Sequence, residues 1–83
     1  MKPFNIEKVY KAYCRLSKPQ RKAVLNRLNE KGIYITAIEA YTYSEASGCK
    51  HLFFHFKDSD DAVPYFLLTE EQLHHIESII LNI

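Results

Sequence analysis

The chain has 83 residues, 47% hydrophobic and 25% charged; that suits one domain over 1–83 with its own core, is too short for two, and argues against disorder over most of the chain. With two glycines and a net charge of +1, neither a glycine-rich phosphate cradle nor a uniformly basic or acidic protein is expected. No apolar run approaches the roughly 18 residues that span a membrane, and Met1 to Asn5 carries no signal-type stretch, so a cytoplasmic protein without membrane contact is expected.

The first helix is predicted to start after Asn5, a good N-cap, with Phe4 and Val9 placed as a hydrophobic staple. Ile6, Val9, Tyr10, Tyr13 and Leu16 recur at helical spacing, while Lys8, Lys11 and Arg15 fall on another face. Ser17 and Gln20 then form a capping box with Pro19 in the first turn, which predicts a second helix over 18–31. Gly32 stands at the C′ position, and Leu28 and Ile33 at the two contact positions of a Schellman motif. The pre-proline residue Lys18 disfavours a continuous helix through Ser17.

From Ile33 to Tyr43 the residues are β-formers. The stretch from Ala37 to Ala40 breaks the alternation and predicts a bulge or a short helical turn. Ser44 to Gly48 reads as a turn. Lys50 to Lys57 alternates, with Leu52, Phe54 and Phe56 on one face and His51, Phe53 and His55 on the other. An acidic turn over Asp58 to Asp61 leads to a strand over Ala62 to Leu68, with Pro64 at an edge or bulge. Thr69 and Gln72 form a second capping box, followed by Leu73, Ile76, Ile79, Ile80 and Ile83 on one helical face. The expectation is an α+β fold of order α-α-β-β-β-α: a three-stranded antiparallel meander with the helices on one face. Leu28, Ile33, Leu52, Phe54, Phe56, Leu73, Ile76 and Ile80 are its expected core.

Charge is segregated along the chain. Up to Lys31 there are nine basic residues and two acids, a balance of +7; from Gly32 onward there are two basic residues and eight acids, a balance of −6. Arg15, Lys18, Lys22, Asn26 and Asn29 group at the start and along one face of the second helix, residue types that meet phosphates and base edges. A second candidate surface is an aromatic and histidine stripe on the sheet: Tyr41, Tyr43, His51, Phe53 and His55.

Catalysis and metal binding find little support. His51 and His55 lie about 13 Å apart on a strand at about 3.3 Å per residue, and His74 and His75 diverge on a helix. Cys14 and Cys49 match no zinc spacing and are expected as free thiols. Asp58, Asp60 and Asp61 open like a calcium loop, but Val63 and Thr69 stand where its glycine and glutamate belong. No metal, no cofactor and no catalytic residue is therefore expected.

The order helix, three strands, helix resembles that of the double-stranded RNA-binding domain, with Gly48, His51 and Phe56 loosely where that family has a loop and second strand. Thr69, Glu70 and Glu71 depart from the basic, Ala-rich start of that family's last helix. A winged helix-turn-helix over 18–68 would need Ile35 to Ala46 helical and would carry an acidic wing tip. Neither likeness assigns a family. The sequence reading is a small non-enzymatic regulatory binding protein of inhibitor or adaptor type, acting through a protein partner, with nucleic-acid binding by the basic helices as the alternative and homodimerisation expected from the complementary halves.

Overall fold

A computed structural model describes residues 4–42 and 50–83. Tyr43, the turn expected over 44–48 and Cys49 lie outside the described residues. Helix α1 spans Ile6–Cys14 and α2 Lys18–Glu30; strands β1, β2 and β3 span Ile35–Thr42, Lys50–Phe56 and Ala62–Pro64; α3 spans Glu70–Leu81. The order α-α-β-β-β-α is the expected one. The strands form an antiparallel sheet in the order β1-β2-β3.

Local signals position the helices. The Asn5 side chain accepts from the Lys8 N–H at 3.1 Å. Ser17 and Thr69 each close a capping box with the glutamine three residues on, which satisfies two orphan N–H groups per helix. Helix α2 ends on Gly32 at φ 82°. The N–H groups of Gly32 and Ile33 return to the carbonyls of Asn29 and Leu28, the Schellman pairing that only a residue tolerant of positive φ allows cheaply.

The core lies between the helices and one sheet face. Val9 and Tyr13 enter it from α1, Val24 and Leu28 from α2, and Ile76, Ile79 and Ile80 from α3. They meet Ile33, Ile35, Ile38, Leu52 and Phe54. Of the expected core, Phe56 and Leu73 are only partly buried. Helix α3 packs against both α1 and α2, α1 lies on β2, and α2 lies on β1. Tyr13, 5% exposed, donates its hydroxyl to the Ile38 carbonyl at 3.3 Å, and the Arg21 guanidinium sits 4.6 Å from its ring centroid. Burial raises the Tyr13 pKa above the ordinary phenol value, opposed by the Arg21 charge.

Two further expectations differ from the structure. The irregularity in β1 lies between Ile35 and Ala37, earlier than the stretch Ala37 to Ala40. The strand expected over Ala62 to Leu68 ends at Pro64 and becomes a 3-10 turn over Tyr65–Leu67. Proline lacks the N–H that would continue the ladder. No helix among the described residues is long and apolar enough to cross a membrane.

Candidate functional site

Leu52 and Phe54 are fully buried, so strand alternation turns His51, Phe53 and His55 to the opposite face of the sheet. Across from them on β1 stand Tyr41, Glu39 and Ala37; on β3, Pro64 pairs with Phe53 and Ala62 with His55. No described helix covers this face. The Tyr41 and Phe53 rings meet edge-on at 5.4 Å, and His51 stacks on Phe53 at 6.1 Å. The 3-10 turn extends the series, with Tyr65 at 5.9 Å and Phe66 at 6.2 Å from His51. Such tilted and edge-on arrangements suit ring quadrupoles. Tyr41 is 49% exposed, Phe66 59% and Leu67 68%.

Glu39 is the residue of this face that sequence reasoning missed. Its Oε2 accepts the Tyr41 hydroxyl at 2.7 Å, and its Oε1 lies 2.8 Å from the His55 Nε2. Those two bonds, Tyr41 first and His55 second, hold its carboxyl below the ordinary carboxylate range. A single acid inside an alternating β-run carries no local signal; only the register sets it opposite Phe53 and beside His55. Phe66 was missed for a different reason, because the stretch after Pro64 reads as strand.

The second surface is the basic helical layer. Lys18, Lys22 and Asn26 are exposed on α2, and Arg15 is exposed at the C-cap of α1. Asn29 is used differently from the rest. Its side-chain amide donates to the Leu25 carbonyl at 2.6 Å and to the Ile35 carbonyl at 3.3 Å, tying α2 to β1. The tertiary structure leaves the charge segregation in place. Among the described residues the ion pair that joins the two halves, Lys50 to Glu7 at 3.4 Å, consumes an acid of the basic half and a base of the acidic half. Arg15, Lys18, Lys22, Arg27 and Lys31 form no ion pair among the described residues. The stripe and the basic helix are not brought together: one lies on the outer face of the sheet, the other in the layer behind it.

Among the described residues no three His, Cys, Asp or Glu side chains converge as a metal site would require. Cys14 is a free, exposed thiol. Comparison with protein families, with characterised proteins and with solved structures finds no match to this chain.

Proposed function

We propose that this chain is a non-catalytic regulatory protein of the cytoplasm that docks a protein partner on the outer face of its sheet. The carrying observation is the linked series of rings from Tyr41 through Phe53 and His51 to Phe66, continued by the exposed Leu67. Glu39 is already bonded on both oxygens, which lowers the cost of covering its carboxylate with a partner. The partner surface it fits is apolar opposite the rings. Aromatic side chains offer about 150–250 Å² each, so Tyr41, Phe66 and Leu67 together expose on the order of 300 Å². A standard interface needs roughly 800 Å² per side and a permanent homodimer more; the smaller patch suits a transient contact with a different protein. Glu39, Tyr41 and His55 make a poor catalytic trio, because the hydroxyl donates to the carboxylate and not to the imidazole, reversing the order that nucleophile activation requires.

The test compares wild type with a Phe66→Asp, Leu67→Asp variant as baits in an extract of the source cell. A captured protein is purified and its binding reconstituted, and light scattering gives the mass of the bait alone. Reconstituted binding that the double variant loses supports the reading. A dimer of the chain itself, dispersed by the same variant, replaces the foreign partner with a second copy and overturns it, as does binding that the variant retains in full.

A second reading, nucleic-acid contact through the helical layer, is supported by Arg15, Lys18, Lys22, Arg27 and Lys31, exposed and without an ion-pair partner among the described residues, since phosphate neutralisation supplies most sequence-independent affinity.

A further inference from the structure

The basic residues of α2 do not form one stripe. At 3.6 residues per turn, Lys18 and Lys22 lie on one flank of the helix, and Arg27 lies about half a turn away on the other, followed on that side by Lys31 at the C-cap. Between the flanks runs a ridge of Pro19, Ala23, Asn26 and Glu30. All four basic residues are exposed, as are Pro19, Asn26 and Glu30, and Ala23 is partly so. The core side of the helix is the remaining arc, with Val24 and Leu28 fully buried. A flat anionic surface meets one flank or the other. A groove with phosphates along both walls meets both at once.

We propose that α2 seats in the major groove of double-stranded DNA, its two basic flanks on the phosphates of opposite walls and Asn26 toward the base edges. This rests on the nucleic-acid reading of the helical layer. The dimensions agree: a helix with its side chains is about 10–12 Å across, and the B-form major groove is about 12 Å wide. The small residues Pro19 and Ala23 leave the ridge low enough for close approach. Asn26 carries the donor and acceptor that pair bidentately with adenine, and Glu30 accepts from the cytosine amino group.

The rest of the fold holds α2 as a rigid probe. Asn29 fixes its second half to β1. Arg21 fixes its first half to α1, through the Tyr13 ring and a 3.5 Å bond to the Cys14 carbonyl. Its packing neighbours are α3 and β1, so the ridge faces away from both. On α3, the Glu77 carboxylate accepts the Asn5 N–H at 3.2 Å and is directed toward α1, and Glu71 lies 4.0 Å from His75.

The experiment is fluorescence anisotropy with a labelled 20-base-pair DNA duplex of mixed sequence, the matching RNA duplex and the single DNA strand, at 50 and 200 mM salt. Protein is titrated to about 100 μM, the weak end of ordinary non-specific binding. Two variants, K18Q/K22Q and R27Q/K31Q, each remove one flank; all four positions are exposed, and thermal melting verifies that the variants fold. The expected result is DNA-duplex binding that each variant weakens at least tenfold, with the slope of log K against log salt reduced by roughly two in both. RNA duplex should bind more weakly, because its major groove is too deep and narrow to admit a helix. Loss confined to one flank, or equal binding of RNA duplex or single strand, overturns the groove seating while leaving the nucleic-acid reading in place. Absence of binding to every probe at 50 mM salt overturns both.

Discussion

Ile35 and Ile38 stand three residues apart in β1, yet both enter the core, at 1% and 9% exposure. Strict alternation would send one of them to the outer face. The register shift between Ile35 and Ala37 resolves the conflict: Ile35 pairs with Phe56 and Ala37 with His55, leaving Thr36 as the extra residue. Its hydroxyl donates to the His55 carbonyl at 3.2 Å. The bulge shifts the parity, so that odd positions face inward before it and even positions after it, which turns Glu39 and Tyr41 outward.

Deleting Thr36 should therefore leave the fold intact, because it removes the extra residue and sets Ile35 and Ile38 two positions apart. A regular strand that kept Thr36 would have to expose either Ile33 and Ile35 or Ile38 and Ala40, whereas without Thr36 plain alternation turns all four inward. Thr36→Val keeps the bulge and loses only the hydroxyl bond, at about 1 kcal/mol. Circular dichroism and urea unfolding follow both variants; a deletion variant that no longer unfolds cooperatively would refute the parity account.

Phe54 and Ile76 are fully buried. Phe54→Ala should cost about 3–5 kcal/mol and Ile76→Ala about 2–5 kcal/mol, from lost transfer energy and the residual cavity. In a chain this size either is enough to threaten folding at room temperature. Exposed-face Tyr41→Ala should change stability far less in the same urea titration.

Tyr13→Phe leaves the ring and removes the hydroxyl bond to Ile38. The expected loss is about 1 kcal/mol. The phenol pKa is raised in the folded state by burial. The folded form thus holds its proton more tightly; the stabilisation is present below the ordinary phenol value and is lost as pH rises through the folded one. Unfolding midpoints between pH 8 and 11 should fall more steeply for wild type than for Tyr13→Phe, and parallel curves would contradict this.

Glu39 gives the opposite sign. Its carboxyl pKa is lowered in the folded state, by the Tyr41 hydroxyl bond first and His55 second. The stabilisation is present above the ordinary carboxylate range and is lost as pH falls through that range to the lower folded value. Glu39→Gln should flatten the decline of stability below about pH 5 relative to wild type. Identical acid profiles for the two proteins would show that the trio contributes nothing.

Much of this architecture is legible along the chain because the signals are local. Capping boxes at Ser17 and Thr69, the glycine after α2 and the clean alternation of β2 each involve residues within a few positions of one another, and each states its own geometry. The outward histidines and Phe53 follow from the same alternation once Leu52 and Phe54 are recognised as core. Three features required the third dimension. The bulge at Thr36 depends on which β2 residue each β1 residue pairs with, and composition around Ala37 to Ala40 points to the wrong place. Glu39 gains its partners only across strands. Asn29 looks like a surface contact residue on the helical wheel, but the turn through Gly32 returns the chain so that the Ile35 carbonyl meets its amide. Local chemistry selects elements because it acts within one turn or one pleat; register and side-chain pairing between elements depend on packing, which joins residues far apart in the chain.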